Sequence, residues 1–362
     1  MPPAAAPPTG PLDLVLHIGS GKTGTSSIQY FLHRNRDRLA DLGLLYPQTP
    51  GGTRHARLGL FIQPDDVLQD IPSWGRQRFD TPAEFRKAFR RRLFREIGES
   101  GLSRVLFSDE ALYGSPQEAL RRLSRFTGRI ADSVRIVVYL RRQDDHLVSR
   151  YQQVVKVGET RRLAERMQQL DFSKTYNYYG RVRTWQRLLK PTEFVVRRFE
   201  PGHFVDGSIY QDFFDAVGID ARADQLEQVK SRNESLDAEA LEFLRIFNMY
   251  RVETQGVTQL ADANRPVVIR LVNASTGPTL TLPNPFLDEF MGQWEESNRG
   301  VAREFLGDES GQLFRLPRKT RNTTTEQHLD PARLDHFLEL AEIPEHMHAP
   351  MRTLAEREAK VR

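Results

Sequence analysis

Residues 14–32 read LVLHIGSGKTGTSSIQYFL, and this stretch decides the fold class of the chain. A short apolar run over 14–18 is followed by a glycine-rich segment over 19–27, after which Ile28, Phe31 and Leu32 recur at helical spacing. The pattern predicts a β-strand, a tight turn and an α-helix in that order. A turn of this kind binds anions, because its backbone N–H groups converge and the helix N-terminus carries partial positive charge.

Counting residues excludes two familiar phosphate-binding turns. A Walker motif needs a glycine five residues before its Gly-Lys pair, and Leu16 occupies that position. The dinucleotide-binding fingerprint also fails, because Lys22 stands inside the turn and no acidic residue follows a second strand about twenty positions later. The turn therefore predicts a phosphate or sulfate site of another type.

The run Lys22-Thr23-Gly24-Thr25-Ser26 is similar, position for position, to the 5′-phosphosulfate loop of sulfotransferases. A second motif supports the resemblance: Arg141 ends a strand predicted over 134–140, and Ser149 follows eight residues later, two turns into a helix. The resemblance covers roughly residues 12–250. It implies an α/β fold with three αβα layers and a central, mostly parallel sheet, similar to P-loop NTPases.

The resemblance also implies a donor, 3′-phosphoadenosine 5′-phosphosulfate (PAPS), and in-line transfer of its sulfuryl group without a metal ion. Lys22 would stabilise the charge that grows on the bridging oxygen. A late basic loop closes over the nucleotide in the family, although a solvated charged turn explains the same residues here. The donor-binding residues would be Gly21, Lys22, Thr23, Gly24, Thr25 and Ser26 at the 5′-phosphate, Arg141 and Ser149 at the 3′-phosphate, and Arg318, Lys319 and Arg321 in the late loop.

Transfer to a hydroxyl needs a general base, because the hydroxyl loses its proton as it attacks. Glu110 is the first candidate, since it follows the strand predicted over 104–108 at the edge where parallel sheets bind ligands. His55, in a Gly-Gly-Thr-Arg-His segment, is the second candidate, and His17 is expected to be buried structure. An ordinary glutamate at a helix N-terminus is the alternative explanation for Glu110.

Helix-start signals mark two further elements. Thr81-Pro82-Ala83-Glu84 combines an N-cap, a first-turn proline and a glutamate, and predicts a helix to about Gly98. Ser235 is expected to cap a helix that ends near Tyr250. Residues 11–362 are predicted to form one domain, with loop insertions at about 48–80 and 255–325, after a disordered extension over residues 1–10.

Composition limits the function classes. The 362 residues contain no cysteine, which excludes disulfides, thiolate metal sites and cysteine nucleophiles. The net charge of +4 suits an anionic donor and is weak evidence for nucleic acid, so no nucleic-acid partner is predicted. No apolar run is long enough to cross a bilayer and no signal-peptide pattern is present, so a cytoplasmic protein without an integral membrane segment is expected.

Two other functions stay open. A P-loop-type kinase would require Mg²⁺, and a non-catalytic nucleotide-binding or glycan-binding protein could keep the fold without the chemistry. The acceptor is equally open, although arginine-rich segments favour an anionic sugar or a lipid headgroup, and hence a glycan or glycolipid.

Overall fold

The computed structural model describes residues 10–229, 235–257 and 260–360. The chain divides into two compact units: the first is Met1–Arg141, Ser173–Ser231 and Trp294–Leu316, and the second is Arg142–Phe172, Arg232–Gln293 and Pro317–Arg362. The prediction of one domain over 11–362 stays a prediction. The disordered extension was predicted over residues 1–10, of which residues 1–9 lie outside the described residues.

A parallel sheet of five strands forms the centre of the first unit, in the order β2-β3-β1-β4-β5. At the carboxyl end of β1, His17 lies opposite Ser108 of β3 and Val137 of β4. The α/β class and the central parallel sheet are therefore as the sequence predicted. The strands are β1 Asp13–His17, β2 Leu44–Leu45, β3 Arg104–Ser108, β4 Ser133–Leu140 and β5 Glu193–Arg198.

Helices connect and cover these strands. In chain order they are α1 Thr25–Arg34, α2 Arg36–Asp41, α3 Ala56–Ile62, α4 Asp65–Asp70, α5 Pro82–Ser100, α6 Gln117–Thr127, α7 Gln143–Lys156, α8 Leu163–Gln169, α9 Ser173–Tyr176, α10 Tyr178–Leu189, α11 Ile209–Val217, α12 Ala238–Glu253, α13 Ala261–Ala274, α14 Asn284–Gly292, α15 Glu295–Leu306, α16 Leu334–Leu340 and α17 His348–Ala359. Two short strands, β6 Thr279–Leu280 and β7 Thr323–Thr324, pair in parallel in the second unit.

The central strands are buried on both faces, as continuous apolar runs predict for a parallel sheet. Consecutive residues of β1, Leu14 to Leu16, are all buried, and so are those of β4 from Ile136 to Leu140. On one side α1 packs against α11, where the Phe31 ring lies 5.8 Å from the Phe214 ring. This burial is compatible with three αβα layers.

The two predicted helix starts have different outcomes. Thr81 is confirmed as an N-cap, because its side chain accepts a hydrogen bond from Glu84 N at 3.2 Å. The prediction for Ser235 is wrong: α12 begins at Ala238, and Asp237 caps it by accepting from Ala240 N at 2.9 Å. Asp237 also accepts from Gly277 N, a tertiary contact that local sequence does not reveal.

The segments predicted as loop insertions contain regular structure. Residues 48–80 hold α3 and α4, and residues 255–325 hold α13, α14, α15 and the β6–β7 pair. In α3 the Phe61 ring stacks on Phe89 of α5 at 4.8 Å, so tertiary packing stabilises this helix. With seven and six residues, α3 and α4 span too few turns for their periodicity to be visible in the sequence.

Candidate functional site

The glycine-rich turn lies at the carboxyl end of β1, the central strand of the sheet. We call residues 18–24 the Lys22 loop. It begins with Ile18 N donating to the Val137 carbonyl oxygen at 3.0 Å. Gly21, Lys22 and Gly24 all have positive φ, at 74°, 51° and 73°. Glycine adopts such angles freely, whereas lysine does so at an energetic cost, which is typical of functional turns.

The Lys22 loop opens the N-terminus of α1. Gly24 is the N-cap, no side chain caps this helix end, and its first turn has no acidic residue. The first N–H groups of a helix have no partner within the helix, so this end is suited to an anion. Thr23 and Thr25 are buried with their hydroxyl oxygens 3.2 Å apart, whereas Ser26 is exposed.

Close packing holds the Lys22 loop in this shape. A Cβ on Gly19 would lie 2.4 Å from Thr25 Oγ1, and a Cβ on Gly24 would lie 2.3 Å from Ile209 Cδ1. The Ser20 hydroxyl donates to the Tyr139 carbonyl oxygen at 2.9 Å. A side chain at position 19 or 24 would therefore displace a neighbouring side chain, and at position 24 the positive φ favours glycine as well.

Gly24→Ala is expected to weaken binding of the nucleotide donor that the resemblance implies at least about tenfold, because its methyl group displaces Ile209 and reshapes the turn. Gly43→Ala is the matched control: Gly43 has φ of 79° and open space around its Cβ position. Each substitution should cost about 1–2 kcal/mol of unfolding free energy through φ alone. Urea denaturation and calorimetric titration with 3′-phosphoadenosine 5′-phosphate (PAP) separate the two effects, and unchanged PAP affinity in Gly24→Ala would contradict the expectation.

Arg141 lies against the Lys22 loop. Its Nη1 donates to the Lys22 carbonyl oxygen at 3.0 Å, and its guanidinium carbon is 5.9 Å from the centre of the Phe199 ring. The Arg141 carbonyl oxygen accepts from the Tyr178 hydroxyl at 2.7 Å. The Arg141 guanidinium therefore lies beside the backbone of Lys22 at one end of the sheet.

The remaining predicted donor-binding residues lie in the second unit. Ser149 is the seventh residue of α7 and is partly buried. Arg318 forms ion pairs with Asp144 at 3.0 Å and with Asp288 at 2.5 Å, so carboxylates already surround its guanidinium. Lys319 and Arg321 are exposed.

Two acids follow β3, and they differ in exposure. Asp109 is wholly buried; its Oδ1 accepts from Arg54 Nε at 2.5 Å and from Ala111 N at 3.1 Å. Glu110, the predicted base, begins a 3₁₀ turn and its side chain is 34% exposed, with Oε1 3.9 Å from Arg54 Nη1. Glu110 is therefore the strand-end acid that another molecule can reach.

Sequence reasoning missed the Asp109–Arg54 pair. The candidate residues from the sequence are Glu110 and His55, the neighbours of this pair in the chain, and include neither Asp109 nor Arg54. The available signal was an acid directly after a buried strand, which predicts a fixed partner because an unpaired buried charge is costly.

The two histidines near this edge are buried and neutral. Burial lowers the pKa of His17 and of His55 to about 3. His55 Nδ1 accepts from Ser108 N at 3.1 Å, and its ring stacks on Tyr46 at 4.3 Å. His17 Nδ1 lies 2.8 Å from the Ser108 hydroxyl, which confirms the prediction that His17 is buried structure.

These histidines should make the protein less stable in acid. As pH falls below 6.5 the unfolded chain binds protons at both residues, while the folded chain does not until about pH 3. The free energy of unfolding should therefore fall with pH across this window, by up to about 1.4 kcal/mol per pH unit for each histidine. Urea denaturation between pH 7 and pH 5 measures this slope. His55→Asn should reduce this slope by the contribution of one histidine, up to about 1.4 kcal/mol per pH unit. An unchanged slope would contradict the burial of neutral His55.

A cavity of about 480 Å³ lies within the second unit, and none of its lining residues is a predicted site residue. None of its lining residues belongs to the Lys22 loop or to the edge at Glu110. Its charged lining includes Asp237, Glu239, Glu326, Asp330, Arg333 and His336.

The fold and this edge define an α/β protein with a glycine-rich candidate anion site on its central strand. No protein-family model and no solved structure matches the chain. An uncharacterised protein of Archaeoglobus fulgidus is 30% identical over 179 residues, which are 48% of this chain and 46% of that protein. The chain thus spans about half the length of this relative.

The described part of the chain lacks two kinds of feature. Among residues 10–229, 235–257 and 260–360, no helix is both long and apolar enough to cross a membrane. The same residues contain no group of three or more histidine, cysteine or acidic side chains placed to hold a metal ion.

Proposed function

We propose that this chain is a sulfotransferase with a P-loop-NTPase-like fold, which transfers a sulfuryl group from PAPS to a hydroxyl of a glycan or glycolipid. The observation that carries the proposal is the Lys22 loop, which opens an uncapped helix at the end of the central strand. Arg141 adds a second cation, hydrogen-bonded to the backbone of the same loop. A donor with several anionic groups matches this arrangement.

The order of the strands supports a ligand site at the Lys22 loop. From β1 the chain builds β2 and β3 on one side of the sheet and then β4 and β5 on the other. In open α/β sheets ligands bind outside the carboxyl ends of the strands, at the point where the order reverses. That point is beside β1, where the Lys22 loop and Arg141 meet.

Each residue has a role in the proposed reaction. The N–H groups of Thr23 to Ser26 bind the 5′-phosphate, and Arg141 binds the 3′-phosphate. The acceptor oxygen forms a bond to sulfur while the bond from sulfur to the 5′-phosphate oxygen breaks, and PAP leaves. Lys22 stabilises the negative charge that develops on that leaving oxygen.

The acceptor proton goes to Glu110 in this proposal. Glu110 is partly exposed and follows β3, the neighbour of β1, so an acceptor can approach it from solvent. His55 is the weaker candidate, because it is wholly buried and its Nδ1 already accepts a hydrogen bond from Ser108 N. A base must come within about 3 Å of the proton that it removes.

The test combines binding and transfer. We expect PAP to bind in calorimetry, and ³⁵S-labelled PAPS to label a glycan or glycolipid fraction equally well with and without EDTA. Labelling from [γ-³²P]ATP that requires Mg²⁺ would support the kinase instead. PAP binding without transfer to any fraction would support a non-catalytic protein, and absence of PAP binding would overturn the proposal.

A further inference from the structure

Arg54 lies beside Glu110, and the reaction above does not use it. Its Nε donates to Asp109 Oδ1 at 2.5 Å, and its Nη1 is 3.9 Å from Glu110 Oε1. The Asp109 side chain is wholly buried, whereas 42% of the Arg54 side chain is exposed. A buried carboxylate therefore holds one edge of the guanidinium and leaves other N–H donors accessible.

The segment that carries Arg54 is fixed although it lies at the surface. In the Arg54 loop, residues 51–55, the Arg36 guanidinium donates to the Gly52 carbonyl oxygen. The Tyr46 hydroxyl donates to the Thr53 carbonyl oxygen at 2.7 Å. A loop held in this way presents its side chains in one geometry, as binding sites require.

The charge of Glu110 changes during the proposed reaction. Asp109 and Glu110 are both carboxylates beside Arg54, and Arg36 interacts electrostatically with Asp37 and Glu96. When Glu110 takes the acceptor's proton it loses its negative charge, so a carboxylate on the acceptor is repelled less during transfer than before it.

We infer that the acceptor carries a carboxylate close to the hydroxyl that reacts, as a uronate sugar does, and that Arg54 binds this carboxylate. The inference rests on the proposed function. A hydroxyl within hydrogen-bonding distance of Glu110 brings its neighbouring substituents next to Arg54 Nη1, because the two side chains are 3.9 Å apart. A guanidinium presents paired N–H donors whose geometry matches a carboxylate.

The test uses two sugars that differ in one group, 4-nitrophenyl β-D-glucuronide and 4-nitrophenyl β-D-glucoside. Calorimetric titration of the full chain, with and without PAP, should show at least about tenfold tighter binding of the glucuronide. Arg54→Gln should bring the two affinities within about twofold, while Arg54→Lys, which keeps the charge that faces Asp109, should retain part of the preference. Arg57→Gln is the matched control, since Arg57 is an exposed neighbour whose Nε donates to Gln77.

Equal affinity for the two sugars, or no binding of either, would overturn the inference. A preference that persists in Arg54→Gln would also overturn it, because the carboxylate would then be bound elsewhere. The proposed function fails separately, through absence of PAP binding or of sulfate transfer in the same preparations. The glucuronide preference is measured without turnover, so the two failures are distinguishable.

Discussion

Lys22→Ala is expected to lower the turnover number for sulfate transfer by about a hundredfold to a thousandfold. The reason is that, in the proposed reaction, Lys22 stabilises the charge that develops on the leaving oxygen, and removal of one such stabilising group has an effect of this size. Affinity for PAP should fall much less, because the uncapped N-terminus of α1 and Arg141 remain in place. Steady-state kinetics with labelled PAPS and calorimetry with PAP measure the two quantities.

Two variants make this result specific. Lys87→Ala removes an exposed lysine of α5 and should leave turnover unchanged. Arg141→Ala should weaken PAP binding more strongly than Lys22→Ala does, because the proposed role of Arg141 is at the 3′-phosphate, which PAP retains. Normal turnover in Lys22→Ala would show that Lys22 does not act in the chemical step and has a role in binding alone.

The parts of the fold that sequence predicted well are those with strong local signals. The apolar run before Gly19 predicted β1, because a strand that is buried on both faces is apolar at consecutive positions. The spacing of Ile28, Phe31 and Leu32 predicted α1, because a helix that is buried on one face repeats its apolar residues every three or four positions. The position of Arg141 after a long apolar strand likewise predicted a strand end, which the structure has at Leu140.

Local sequence patterns do not reveal contacts between residues that are distant in the chain. Arg54 and Asp109 are 55 positions apart, and only the folded chain brings the guanidinium onto the buried carboxylate. The positive φ of Lys22 is likewise not visible in the sequence, because lysine rarely adopts such angles. Burial decided the difference between Asp109 and Glu110, which are adjacent and chemically alike in the sequence.

Glu110→Gln is expected to reduce turnover by about a hundredfold to ten-thousandfold, the usual contribution of a general base, while the affinity for PAP stays within about twofold. The amide has nearly the shape of the carboxylate but cannot take the acceptor's proton. Because Glu110 is partly exposed and makes only a long contact with Arg54, the substitution should hardly change the urea midpoint of unfolding.

Asp109→Asn and Glu99→Gln distinguish the base from the ion pair beside it. Asp109 is wholly buried against Arg54, so its amide variant should lower the urea midpoint, whereas Glu99→Gln, on the exposed side of α5, should change neither stability nor turnover. Loss of turnover in Glu110→Gln at an unchanged midpoint would then reflect chemistry. If Glu110→Gln instead transfers sulfate at the normal rate, Glu110 is not the base. Another group must then take the acceptor's proton. Glu110 would act only electrostatically, as any glutamate does at the N-terminus of a helix.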